Sequence, residues 1–384
     1  MHPIDWKQDT LRDGIILISG QHIAVAHYSG EPIGIPYLTG PADFNGKNPN
    51  ETKYTDQPKA CCKAGDILIT VKGAGTGTIA IADKNYCISR QLMAVRPTRF
   101  DTRFIFYVLE SNFERYNSVA VGLIPGITRE DIFSTPLEVP PIREQKEIAH
   151  ILLAWDSAIE NTERLIEAKE KRFSWLIKSL ISDQSSHWNH LPAEKIFKSI
   201  SDKNSGNEEL LSVTQDRGVI PRTMLEGRVM SPEGNTEAYK LVKEGDFVIS
   251  LRSFQGGIEY SRYQGLISPA YTVLRPILKI YDEFYRYFFK SYLFIEKYLG
   301  IAVIGIRDGK QISVPDFMTV KIPCPLLEQQ KKIVFVLNAA RQEIDILRKQ
   351  AEAYRKQKRG LMQKLLTGQW RVKITEKVEK WQKK

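Results

Sequence analysis

Apolar side chains recur along residues 148–180 in alternating steps of four and three: Ile148, Leu152, Trp155 and Ile159, then Ile166, Phe173, Leu176 and Leu180, with Thr162 and Lys169 at the two remaining places. This is a heptad seam. The spacing returns at Ile333, Leu337, Ala340, Ile344, Leu347, Ala351, Tyr354, Lys358, Leu361 and Leu365. A stripe of period 3.5 buries itself most simply against a second such stripe, so the pattern predicts two long helices in an intramolecular coiled coil; two amphipathic helices, each packed on its own domain, remain the alternative. Antiparallel pairing lets the intervening chain return. It sets Phe173 against small Ala340 and Ile166 against Leu347, so that bulk meets a gap. A helix of about 38 residues is roughly 57 Å long, about 10 to 17 base pairs of duplex DNA.

The helices are copies of one element. PPIREQKEIAHIL, from Pro140, lies over PLLEQQKKIVFVL, from Pro325, and the match runs without a gap to LIKSLIS over LMQKLLT. The segments ahead of them also resemble each other, KAGDILITVKG with KEGDFVISLRS, so that Gly65-Asp66 falls on Gly245-Asp246, Ser89 on Ser268 and Arg96-Pro97 on Arg275-Pro276. Alternating β-branched residues between glycine-rich turns predict strands and hairpins. An aromatic, helix-like run follows in each half, then a capping turn, Thr128-x-x-Asp131 or Ser313-x-x-Asp316. The expected fold class is α+β: two mixed domains joined by two long antiparallel helices, with a pseudo-twofold internal repeat. Expected boundaries are 1–139 and 184–324 for the domains, 140–183 and 325–369 for the helices, and 370–384 for a basic tail.

Charge sharpens this picture. Lys and Arg number 55 against 45 Asp and Glu, a formal +10, which favours a polyanion such as nucleic acid. Cys61, Cys62, Cys87 and Cys324 form no CxxC pair, so reduced structural thiols are expected, and no run approaches the roughly 18 apolar residues of a membrane span. A cytoplasmic protein is the expectation, with no membrane partner.

Catalytic signatures are missing from the sequence. KGAGTGT (72–78) would have to open a helix to cradle phosphate, yet TIAIAD continues as a strand, so a hairpin turn is expected. There is no GxxxxGK[ST] and no NPPY- or DPPY-like tetrapeptide. Asp316 with Lys321 is a poor nuclease pair, since the aspartate belongs to the capping turn. His187 and His190 flank Trp188 in what reads as a junction between domains rather than a metal site. No catalytic residue and no metal site are assigned.

Candidate DNA contacts are side chains able to bond base edges or phosphates from loops. In the first half they are Asn45, Lys47, Asn48, Lys72, Arg90, Gln91 and Arg129. In the second they are Gln215, Asp216, Arg217, Arg222, Arg252, Ser253, Gln255, Arg307, Lys310 and Gln311.

Two divergent halves, each followed by a helix opening in PPxxEQ(K/Q) and closing in (I/M)xxLL(T/S), with TGQWRV after the second, resemble the DNA-specificity subunit of type I restriction-modification systems. The motifs PPIREQKEIAHIL, LVKEGDFVISLR, KAGDILITVKG and LMQKLLTGQWRV carry the resemblance over nearly the whole chain; CPLLEQQKK departs from the pattern at the second helix. The resemblance implies a noncatalytic reader. Each half would be a target-recognition domain for one part of a bipartite, asymmetric site in double-stranded DNA. The helices would set the spacer and dock two modification subunits, adenine-N6 methyltransferases that carry S-adenosylmethionine and flip the target base. Restriction subunits, using ATP and Mg, would join them; this chain would hold no cofactor. A type IIB-like system with a fused methylase-nuclease partner would use a similar reader. An autonomous methyltransferase or nuclease, or a coiled-coil scaffold that reads no DNA, are the readings from other classes.

Overall fold

The structure, a computed structural model, describes residues 6–73, 75–119, 126–203, 208–225, 236–305 and 311–373. The chain divides into two compact units: residues up to Glu163 together with those from Lys349 onward, and Arg164–Arg348. Each unit holds one recognition half and a stretch of both long helices.

The repeated sequence marks a repeated frame. In the first unit a four-stranded antiparallel sheet is ordered Ile15–Ser19, Leu92–Pro97, Ile67–Thr70, Ile79–Ile81, and in the second the order is Phe197–Ile200, Thr272–Pro276, Phe247–Ile249, Glu259–Tyr260. The strands on either side of KGAGTGT, Ile67–Thr70 and Ile79–Ile81, pair antiparallel as a hairpin, as its continuation into a strand implied. Gly65 and Gly245 take φ values of 86° and 87°, which favour glycine, and turn the chain into the central strand. The aspartate that follows closes the turn: Asp66 accepts from the amide of Lys63, and Asp246 from that of Lys243. Both carboxylates are buried and grip an arginine of the adjoining strand through two bonds, Arg96 at 2.7 and 2.7 Å and Arg275 at 2.8 and 2.7 Å. The GD and RP dipeptides recur because they are two ends of one buried ion pair.

A short helix follows each sheet, Thr102–Ser111 or Asp282–Phe288, and contributes a run of buried side chains to the core. Phe104, Ile105, Val108 and Leu109 are buried in one unit. Phe284, Tyr285, Phe288 and Phe289 are buried in the other, where Phe197, Phe247, Phe294 and Phe317 join them. Thr128 and Asp131 form the expected capping box, and Ser313 caps Asp316. Away from this frame the halves diverge. The first adds a mixed sheet, Tyr54–Thr55, Ile35–Leu38, Tyr86–Ile88 and Cys61–Cys62; the second adds two separate pairs, Leu211–Thr214 with Gly218–Pro221 and Lys240–Val242 with Gly265–Ile267.

The long helices span Ile142–Ile177, ending in a π-helical turn Lys178–Ser182, and Leu327–Leu366. They begin after prolines whose carbonyls are used by side chains, so the helical bodies are shorter than the repeated segments. All twenty predicted seam positions are at least partly buried, Thr162, Lys169 and Lys358 included. Pairing within each unit is antiparallel. Trp155 meets Tyr354 edge-on with centroids 5.6 Å apart, Asp156 bonds Lys358 and Glu163 bonds Arg355 in one unit. Lys169 bonds Glu343 and Glu170 bonds Arg348 in the other. Phe173 lines a cleft of about 380 Å³ together with Ala339 and Ala340, but its ring turns edge-on to Tyr287, 6.0 Å away. The bulk at this seam position is therefore absorbed partly by the recognition domain.

Candidate nucleic-acid interface

In the first half three loops are drawn together. The amide of Val71 donates to the carbonyl of Gln91, and the hydroxyl of Ser89 to the carbonyl of Thr39 at 2.6 Å. Gly40 sits so close to Gln91 that a Cβ would lie 2.3 Å from its Oε1, and one on Gly75 would meet Pro41 at 3.0 Å. This close approach gathers the exposed Lys72, Arg90 and Gln91 at one end of the half. Asp43 stiffens the arrangement, accepting from the amide and hydroxyl of Thr39, from Thr52 and from Lys53. Burial pushes its carboxyl up, but the bonds from Thr39 and Lys53 outweigh this and hold it below the usual carboxylate range.

Asn45 and Asn48 are exposed on a hairpin, Phe44–Asn45 with Asn48–Pro49, turned by Gly46 at φ 62°. Lys47, between them, is committed elsewhere. Its Nζ bonds Glu110 at 2.6 Å and Asp156 at 2.8 Å and lies over the rings of Phe106 and Tyr107, so it anchors the hairpin to the first long helix. Lys358 closes the ring, 2.7 Å from both carboxylates, and Tyr107 donates to Asp156. Burial raises the Asp156 carboxyl, yet Lys47 and the bonds from Lys358 and Tyr107 keep it below its ordinary value. Arg129 is likewise engaged, donating to the carbonyl of Leu17 and the hydroxyl of Ser19.

In the second half Gln215, Asp216 and Arg217 form the exposed turn of the hairpin 211–221, with Arg217 bonded to the carbonyl of Met224 and 3.7 Å from Asp216. Arg252 and Gln255 are exposed at the short helical turn Ser253–Gly256. Gln215 reaches the carbonyl of Arg252 at 3.4 Å, which joins the two turns. Ser253 is buried and accepts from the amide of Ser250, a latch inside the turn rather than a surface donor. Arg222 is half-buried at the close of the same hairpin, and its amide donates to the carbonyl of Leu210. Gln311 is exposed on the pair Val303–Ile304 with Gln311–Ile312; Arg307 and Lys310 lie outside the described residues. Glu259 and Lys290, which the sequence reading passed over, stand beneath these turns. The signal available was a carboxylate flanked by Ile258 and Tyr260, where the strand Glu259–Tyr260 begins.

Each half thus presents polar and cationic loop side chains on a stiff common frame, while the loops differ in length, path and chemistry. Among the described residues no group of three or more His, Cys, Asp or Glu side chains is gathered as metal ligands, and none of the helices is long and apolar enough to cross a membrane. A family model described as the type I restriction modification DNA specificity domain matches residues 3–170 and again 194–353. The chain belongs to this family. The type I restriction enzyme MjaVIII specificity subunit of Methanocaldococcus jannaschii is 27% identical over 411 residues, covering 97% of this chain and 94% of its own. A putative type I specificity subunit of Mycoplasma genitalium is 26% identical over 78% of this chain and 80% of its own. Among solved structures, the S subunit of a type I restriction-modification system from M. genitalium superposes with a TM-score of 0.58 at 20% identity, over 94% of this chain and 96% of its own. A structure described as underlying complex assembly and conformational transition of the type I R-M system reaches 0.59 at 14% identity, over 96% of this chain and all of its own. At these identities the likeness is one of fold.

Proposed function

We propose that this chain is the DNA sequence-specificity subunit of a type I restriction-modification system. It is noncatalytic and reads a bipartite, asymmetric site in double-stranded DNA, one part per recognition half. The observation that carries the reading is the repeat itself: one frame, built on the same buried aspartate-arginine pair and on a repeated buried glutamine, Gln145 or Gln330, that accepts the amide ahead of the recognition-domain helix, displays two unrelated loop sets. A protein that recognised one sequence twice would keep its loops alike. The formal +10 suits a polyanion, and the exposed Lys72, Arg90 and Arg252 make no ion pair with the described residues. Their partners are phosphates or base edges.

The long helices set the spacer and dock two modification subunits, adenine-N6 methyltransferases that bring S-adenosylmethionine; restriction subunits with ATP and Mg complete the restricting assembly, and the chain works in the cytoplasm. Support for docking comes from the second long helix, where Phe335 is 77% exposed and, with Val336 and Ala339, lines an open cleft of about 810 Å³. Phe335 is not isolated, since the adjacent Val336 is also exposed, and contiguous apolar surface along a cleft favours an interaction site. The deciding experiment is co-expression with the adjacent methyltransferase and mapping of modified adenines across host DNA. A split motif methylated on both strands supports the reading; a stable complex with no motif returns the chain to a scaffold.

A further inference from the structure

The second half carries a cation that serves its own backbone. Lys290, just beyond the helix Asp282–Phe288, sends its Nζ to the carbonyl of Gln215 at 3.1 Å, the carbonyl of Gly256 at 2.8 Å and Oε1 of Glu259 at 2.5 Å. Two of these acceptors belong to the two turns that carry Gln215, Arg217, Arg252 and Gln255; the third belongs to the central sheet. The turns are in close contact, since a Cβ on Gly256 would lie 3.0 Å from Nε2 of Gln215. Glu259 is 1% exposed, and its second oxygen, Oε2, is buried without a hydrogen-bond partner. A carboxylate kept so incompletely satisfied has no packing advantage over leucine, so its use is the ammonium it holds. Burial is the largest influence on Glu259 and moves its carboxyl to about 7, against Lys290 and with Asp216.

The first half offers a control from within the molecule. Asp101 and Tyr281 occupy the same place ahead of their helices, each donating its amide to the repeated glutamine, which puts Glu110 where Lys290 stands. There the helix supplies the anion and the loop supplies the cation, Lys47. Opposite charges at one site of the frame do one job, which is tying reading loops to the rigid body.

We infer that Lys290, seated by Glu259, is a positioning residue for DNA reading by the second half: it fixes turn 215–217 and turn 253–256 in one relative placement, and through that placement sets the second half-site. This rests on the specificity reading above. The test uses the chain assembled with its modification subunits and a duplex library randomised across both half-sites, comparing Lys290→Met, Lys290→Arg and Glu259→Gln with the parent, and recording melting curves for each. Lys290→Met is expected to lower discrimination between the best and next-best second half-sites about tenfold, with the first half-site and the salt slope unchanged. Lys290→Arg recovers part of it, and Glu259→Gln, the milder change, broadens the same half-site less. Selectivity that survives both Lys290→Met and Glu259→Gln overturns the positioning role. So does a uniform loss of affinity with the salt slope reduced by about one, the mark of a phosphate contact. A parent complex that selects no split motif instead overturns the specificity reading on which this one stands.

Discussion

Gln145 and Gln330 show why the chain writes one element twice. Each donates its Nε2 to the carbonyl of the proline five residues earlier, Pro140 at 2.9 Å or Pro325 at 2.8 Å. Each accepts on Oε1 the amide that opens the recognition-domain helix, from Asp101 at 2.9 Å or Tyr281 at 2.7 Å. A buried amide with donor and acceptor both used cannot be exchanged for an apolar residue of the same size without leaving two backbone groups bare. The joint between domain and long helix is thus specified by one side chain. Another residue-scale joint is the ring of Lys47, Lys358, Glu110 and Asp156. Replacing Lys358 with Met removes one of two cations from a pair of part-buried carboxylates that Lys47 still holds, and unfolding of the unit should become easier by about 1.5–3 kcal/mol, as read in urea titrations. Glu259 yields a prediction in pH. Its carboxyl is raised from 4.5 to about 7, so the folded state binds the proton more tightly; the resulting stability is present below 4.5 and is lost as pH rises through about 7. Melting temperature should fall between about pH 4.5 and 7 in the parent and level off above, and Glu259→Gln should remove that slope.

At the scale of elements, the seam positions form one continuous stripe, but their chemistry differs between units. Phe173 and Lys358 occupy equivalent places in the two helices, and Tyr107 and Tyr287 equivalent places in the two domains. One unit sets Phe173 edge-on to Tyr287; the other sets the Lys358 ammonium 5.2 Å over Tyr107. Heptad geometry accepts either, because what it requires is a side chain long enough to reach the domain. Removing residues 158–164 and 349–355 together deletes one heptad from each helix and joins Trp155 to the next seam residue in register. Both half-sites should persist while the spacer shortens by about three base pairs, since seven residues of helix measure about 10 Å. An unchanged spacer in the methylation map would refute the ruler. Phe335, exposed on the second helix, predicts a different loss. Phe335→Ser should leave the melting curve within about 0.5 kcal/mol of the parent yet reduce co-purification of the modification subunit, and undiminished co-purification would place docking elsewhere.

For the whole molecule, the two recognition halves are separable in content though built to one plan. Exchanging residues 190–320 for the corresponding segment of a related specificity protein should alter only one half-site in the methylation map; a change in both would mean that the halves read DNA jointly. Much of this organisation was legible in one dimension. Heptad spacing, the matched openings and closings of the helices, and the GD and RP dipeptides are local patterns, and helical and strand periodicity are set by backbone geometry that neighbouring residues share. The candidate contacts were legible only as residue types in loops. Whether a lysine is available or spent depends on what stands opposite it: Lys72 is open, whereas Lys47 is committed to carboxylates distant in sequence, and Ser253 is turned inward. Lys290 and Glu259 escaped notice for the same reason, since the three groups gathered on one ammonium lie 31 to 75 residues from it along the chain. The sequence by itself determined the repeat, the helices, their antiparallel seam and the two-half plan, because these follow from periodicity. Only the tertiary structure decided which charges are free to meet DNA and which are bound into the frame, because a charge is spent by its spatial neighbours, and these are drawn from parts of the chain that no local pattern connects.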